Sequence, residues 1–192
     1  MTTIIQALRP RQWTKNLLVF AVPLFSFKFL FEIWFLSFIS FVSFCLISSS
    51  VYLINDCLDI ESDRLHPIKK NRAIASGKIS TKFAVFLSIL LTSLSLFISF
   101  YINPFLFLLI FLYGLIQVAY CLRLKQEPLF DILCISSGFL LRALSGGVAT
   151  DLFISPWFIL SVGTLALFLA IEKRKAELRL SMQKTMSLHY KI

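Results

Sequence analysis

The stretch YLINDCLDIESDRLHPIKKNRAIASG, residues 52–77, decides how the whole chain is read. Asp56, Asp59, Glu61 and Asp63 are four of only ten acids among 192 residues, and His66, Lys69, Lys70, Arg72 and, just beyond, Lys78 follow them at once. Everything around this island is apolar. The chain is 58% hydrophobic and 15% charged, with a mean hydropathy of +0.83, whereas a soluble domain carries about 25% charged residues. Such a composition excludes an ordinary soluble core and points to an all-α, polytopic membrane protein. A formal charge of +9 would suit nucleic acid if the bases were clustered on one face. They lie instead in short segments between apolar runs, which is the pattern of membrane topology, so no nucleic-acid partner is expected.

About 20 apolar residues at 1.5 Å each cross a hydrocarbon layer of about 30 Å. Six segments approach that length, at about 15–31, 33–54, 82–100, 104–121, 129–149 and 153–171. With the N-terminus placed in the cytoplasm, only Lys28 of the 19 bases falls outside, and Arg142 falls within a span. The positive-inside rule therefore predicts an integral protein of the cell (inner) membrane, with the N-terminus and the loop after the second span cytoplasmic. No internal repeat or linker interrupts residues 1–192, which are read as one domain. The four cysteines lack any metal-ligand spacing and are read as apolar filler.

Asn55, Asp56, Asp59 and Asp63 follow directly on the second span. If the helix continues through them, positions 56, 59 and 63 fall within about 60° of one another. Three carboxylates on one face repel unless a cation lies between them. Oxygen donors without Cys favour a hard ion, and a few carboxylates with substrate phosphates are the usual environment of Mg²⁺. Lys69, Lys70, Arg72 and Lys78 suit a phosphorylated ligand, with Arg72 able to bind as a fork, although bases here also anchor the inner face. Ser76-Gly77 predicts a turn before the third span. Further on, Asp131 and Arg142 stand eleven residues apart, near three turns, so both fall on one helix face about 16 Å apart. An Arg within a span is costly and is expected to face the bundle interior. Gly138, Gly146 and Gly147 are expected to allow close helix approach.

The pattern NDCLDIESD resembles the first Asp-rich motif, NDxxDxxxD, of the UbiA-type intramembrane prenyltransferase superfamily, in the same place after the second membrane helix. RPRQWTKN at 9–16, HPIKKNRAIASG at 66–77, and LK with SGFLLRALSGG between 124 and 147 are similar to its decaprenyl-phosphate phosphoribosyltransferase branch. Ala73 stands where that branch usually has Pro. The resemblance implies transfer of 5-phosphoribose from phosphoribosyl diphosphate to a polyprenyl phosphate, a cell-wall precursor step in some bacteria. It also implies Mg²⁺ on Asp56 and Asp59, with Asp63 and Asn55 as further ligands. Lys15, Lys125, Asp131 and Arg142 are implied as catalytic residues, and Asn16, Asn55, His66, Lys69, Lys70, Arg72, Lys78 and Tyr120 as substrate contacts. Arg9, Arg11 and Trp13 are weaker candidates, since bases and an aromatic at the interface also serve as anchors.

The superfamily is expected to have about nine helices, three more than the six spans here. The tail EKRKAELRLSMQKTMSLHYKI reads as the start of a loop. The chain is accordingly expected to be incomplete at its C-terminal end, and a separate polypeptide supplying the missing helices is one route to completion. Two other readings remain. An aromatic prenyltransferase would share the first motif, but between Lys173 and Ile192 the only acid is Glu177, where a second acidic pair is expected. A non-catalytic remnant is the other.

Overall fold

The computed structural model describes residues 2–189, with side chains described for 3–179. Among these residues the α-helices are α1 (Thr2–Leu8), α2 (Ala21–Phe25), α3 (Phe31–Leu58), α4 (Ile60–Leu65), α5 (Thr81–Ile102), α6 (Pro104–Leu122), α7 (Pro128–Ala149) and α8 (Pro156–His189), with 3-10 stretches at Pro10–Phe20, Lys69–Asn71 and Leu124–Gln126. No strand occurs among the described residues. Local chemistry sets the helix starts. Pro opens α6, α7 and α8, where its missing N–H costs nothing. The side chains of Asn103 and Ser80 accept from Phe105 N (2.8 Å) and Phe83 N (3.3 Å), capping α6 and α5.

Five helices are long and apolar enough to cross a membrane: α3, α5, α6, α7 and α8 over Pro156–Arg179. The remaining expected segment, 15–31, is not one long helix. It runs as 3-10 from Pro10 to Phe20, becomes the short α2 and turns at Phe27, whose φ is 53°. Pro23 within α2 has no N–H to extend an α ladder back into the segment. The second span is also longer than expected, since α3 reaches Leu58 and carries Asn55 and Asp56 in its last turn. The expected loop after Glu172 is helix instead, because α8 continues to His189. Ala, Leu, Glu, Lys, Arg, Met and Gln fill this stretch with no Pro or Gly. Lys173–Glu177 (3.5 Å) and Lys175–Glu172 (3.2 Å) add pairs at helical spacing.

At the centre stands α3, buried on a stripe of serines that lets neighbouring backbones come close. Ser50 Oγ donates to Ser88 O at 2.8 Å, and Ser95 Oγ donates to Ser43 O at 2.7 Å, tying α3 to α5. Val19, Phe44, Ile47, Leu106, Ile110, Tyr113 and Leu141 form the apolar core between α3, α6, α7 and the 3-10 stretch. Phe86, Phe97, Phe100 and Phe105 point outward, as side chains facing lipid do. Gly146 lets α7 meet the 3-10 stretch: a Cβ there would run into the Val19 carbonyl, and one at Gly147 would meet Ile154 at 2.6 Å.

Candidate active site

The acidic motif sits where α3 gives way to α4. Asp59 N donates to Asn55 O (3.0 Å) and Asp63 N to Asp59 O (2.8 Å), so the helical course continues through a bend at Asp59 (φ −95°, ψ 10°). Asp56 and Asp63 are buried, at 3% and 1% exposure, while Asp59 is half-buried at the rim. Each acid meets a base from a remote segment. Arg72 Nη1 donates to Asp63 Oδ2 at 2.7 Å and to Asp56 Oδ1 at 3.2 Å, bridging the two buried carboxylates with one nitrogen. Arg9 pairs with the same Asp56 oxygen, and its guanidinium lies over the Tyr52 ring, 4.8 Å from the centroid. Lys125 Nζ reaches Asp59 Oδ1 at 2.7 Å.

The basic loop is shaped to deliver Arg72. Arg64 Nε donates to Ala75 O at 3.2 Å, and Gly77 takes the left-handed φ of 76° that the Ser76-Gly77 turn requires. His66 is spent on the loop itself, its Nδ1 accepting from Ile68 N and Lys69 N at 3.2 and 3.3 Å. Lys69, Lys70 and Lys78 are exposed and pair with no acid among the described residues.

A second cluster joins α6, α7 and α8. Tyr120 donates its hydroxyl to Asp131 Oδ1 at 2.8 Å, with Lys173 Nζ 3.9 Å from the same oxygen. Asp131 is buried, and its Oδ2 has no hydrogen-bond partner.

Deeper lies Arg142. Its Nε donates to Asn16 Oδ1 (2.7 Å), Nη1 to Gly138 O (2.7 Å) and Nη2 to the Tyr113 hydroxyl (2.6 Å), and its guanidinium stacks on the Tyr113 ring at 4.7 Å. Asn16 in turn donates to Cys45 Sγ and Ser48 Oγ, both at 3.3 Å. No carboxylate pairs with Arg142 among the described residues. Lys15, Ser48, Tyr52, Tyr113, Gln117 and Arg142 line a polar cavity of about 90 Å³ at this level.

Of the sequence candidates, Asp56, Asp63 and Arg72 come together, as do Asp59 with Lys125, Tyr120 with Asp131, and Asn16 with Arg142 beside Lys15. The four-ligand set Asn55, Asp56, Asp59 and Asp63 is not gathered: no three His, Cys, Asp or Glu side chains among the described residues converge on one point. The bend at Asp59 and its pairing with Lys125 carry that carboxylate aside. What remains, two buried carboxylates within reach of one nitrogen, fits an ion that takes one or two carboxylates and completes its shell with phosphate oxygens and water. The structure adds Tyr52, Tyr113, Gln117 and Lys173 to these clusters and places Arg9, a weaker candidate from sequence, against Asp56. Tyr113, Gln117 and Tyr120 did carry a signal, being polar at spacings of four and three on an otherwise apolar helix.

The profile of the UbiA prenyltransferase family matches residues 17–181. The chain is 45% identical over 183 residues to the decaprenyl-phosphate phosphoribosyltransferase of Mycolicibacterium smegmatis, covering 93% of this chain and 58% of that protein. It is 39% identical over 183 residues to the Mycobacterium tuberculosis protein of the same description, covering 93% and 61%. The chain thus spans about three fifths of the length of these curated relatives. In three dimensions it is similar to a UbiA homolog from Archaeoglobus fulgidus solved with DMAPP and Mg²⁺, with a TM-score of 0.75, 24% identity, and 86% and 60% of the two chains covered. That likeness is one of fold.

Proposed function

Because this chain belongs to the UbiA prenyltransferase family of membrane transferases, we propose that it moves 5-phosphoribose from phosphoribosyl diphosphate to a polyprenyl phosphate, with the acidic mouth receiving the diphosphate. The observation that carries this reading is the Arg72 bridge: two buried carboxylates share one guanidinium nitrogen at the end of α3. Asp56 and Asp63 are the residues that would hold Mg²⁺, with Asn55 and Asp59 beside them. Bound there with the donor, Mg²⁺ would supply positive charge against the departing diphosphate.

The chain's own bases do the rest. With Asp56 and Asp63 holding a cation, Arg72 and Arg9 would be free to donate to phosphate oxygens, Arg72 as a fork, and Lys125 stands at the rim beside Asp59. Donors fixed before the reaction, and opposed to charge that grows on the leaving group, favour the transition state over the ground state. The acceptor is a lipid monophosphate, whose second pKa of about 6 leaves it mostly ionised at neutral pH, so it needs no general base. Lys69, Lys70, Lys78 and His66 form the outer basic rim that first meets the soluble donor, with the N-terminus and this rim in the cytoplasm of an inner-membrane protein. The described helices form one domain in this reading, and further helices from a separate polypeptide packing against α8 belong to the same proposal.

The test is transfer of label from phosphoribosyl diphosphate into the lipid phase of membranes carrying the chain together with a polyprenyl phosphate. Label in the lipid is the expected result. Prenylation of an aromatic ring with no movement of phosphoribose would replace this reading.

A further inference from the structure

The proposed reaction involves two different anions, a diphosphate that leaves and a lipid phosphate that attacks, and the acidic mouth suits only the first. We infer that the second, the phosphate monoester of a single-chain isoprenoid lipid, is held by Lys15 and Arg142 in the polar cavity, with its hydrocarbon chain in the cleft between the Pro10–Phe20 stretch, α7 and α8. This assignment rests on the transferase reading and divides its site into two halves.

Charge is the first argument. The cavity lining carries two cations and no carboxylate. All three bonds of Arg142 go to neutral acceptors, and Lys15 has no acidic partner among the described residues. Lys15 is near enough to Arg142 and Lys173 to be repelled by both. Asp131, the acid of the second cluster, does not line this cavity, and its Oδ1 meets Tyr120 and Lys173. Like charges facing each other inside a membrane protein are costly, and an anion between them removes that cost. Without a carboxylate the cavity has nothing to hold Mg²⁺, so its anion binds by guanidinium and ammonium alone.

Size and continuity are the second. About 90 Å³ is a few times the ~30 Å³ share of one water, room for a phosphate group. Lys15 and Phe139 line this cavity and also an adjoining cleft of about 470 Å³, otherwise walled by side chains such as Leu17, Leu18, Leu165 and Leu169. A headgroup at Lys15 therefore leads straight into an apolar slot. The larger cleft between α6, α7 and α8, about 600 Å³, has no cation in its lining and offers no such seat. In the transfer, an acceptor oxygen forms the bond to C1 of the phosphoribose as the C1–O bond to diphosphate breaks. The electron pair leaves on the diphosphate, so no oxidant or proton acceptor is required.

The test is equilibrium binding to the full chain in nanodiscs of neutral lipid. Farnesyl monophosphate is the probe, compared with farnesol, inorganic phosphate, phosphatidic acid and phosphoribosyl diphosphate, in EDTA and in Mg²⁺. Farnesyl monophosphate is expected to bind in EDTA, to lose about tenfold or more in Lys15→Gln and to stay within about threefold in Lys15→Arg. Mg²⁺-dependent binding of phosphoribosyl diphosphate is expected to fall about tenfold in Arg72→Gln and to shift no more than about threefold in Lys15→Gln. A Mg²⁺ requirement for farnesyl monophosphate, indifference to Lys15→Gln, or equal binding of phosphatidic acid or inorganic phosphate overturns the assignment. The two readings fail separately. Farnesyl monophosphate seated through Lys15 without any phosphoribose transfer sinks the transferase reading and keeps the seat. Transfer that persists with lipid-phosphate affinity unmoved by Lys15→Gln does the reverse.

Discussion

At the acidic mouth three carboxylates meet three bases, whereas at Arg142 a buried cation meets only an amide, a hydroxyl and a backbone carbonyl. The partners at the mouth come from the N-terminal segment, the loop after α4 and the 3-10 turn after α6, so its neutrality is assembled from parts remote in sequence. The Arg142 site has no acid to give up. The contrast separates two electrostatic arrangements: carboxylates already neutralised by bases at one place, and standing positive charge without an acid at the other.

The comparison breaks most readily at Asp56. Asp56→Asn keeps the shape but removes the charge that Arg9 and Arg72 share, and phosphoribose transfer in membranes is expected to fall about 10²–10³-fold, the scale of losing one preorganised electrostatic group, about 2.7–4 kcal/mol. Turnover equal to the parent chain would sink the mouth as the seat of chemistry. Next comes Gly146→Ala, which forces a methyl toward the Val19 carbonyl and pushes the 3-10 stretch from α7. A loss of about 1–3 kcal/mol is expected in detergent unfolding, the usual cost of overpacking, with lipid-phosphate binding lost alongside because Asn16 is drawn away from Arg142. Asn16→Asp sharpens the contrast by giving Arg142 the acid it lacks. The fold should persist while farnesyl monophosphate affinity drops about tenfold, near 1.4 kcal/mol, and unchanged affinity would show that the standing charge does not matter. Smallest is Lys125→Gln: the pair with Asp59 is partly exposed, so its contribution to stability should be only about 0.2–1 kcal/mol, measured by the same unfolding series.

Charge was the legible part of this sequence. In so apolar a chain each acid and each mid-span base stands out, so the motif at 55–63, the basic loop and Arg142 could be picked out from rarity alone. Their partners could not. Arg9 meets Asp56 from a left-handed backbone, with φ 53°, and nothing in Arg-Pro-Arg announces that. Tyr113 and Gln117 are hard to see because an apolar run is judged by its length, not by the polar positions recurring along one side. The segment 15–31 differs for another reason: its apolar length is counted from residue types, which do not register that positions 15–20 wind as 3-10 or that the chain turns at Phe27. The tail after Glu172 reads as loop from its likeness to the family's loop, whereas helix propensity and paired side chains decide it.

The 3-10 geometry of Pro10–Phe20 sets a gauge. At about 2.0 Å per residue these eleven residues reach about 22 Å, where an α-helix would cover about 16 Å, and positions three apart eclipse. Trp13, Asn16 and Val19 therefore fall in register along one side, touching Ser49, Arg142 and Gly146 in turn. One strap thereby sets the spacing from the Arg9–Asp56 contact down to the deep cation. Removing a single residue from it would slide every later tooth off its notch, parting Asn16 from Arg142 and Val19 from Gly146 while leaving the Arg9–Asp56 contact in place.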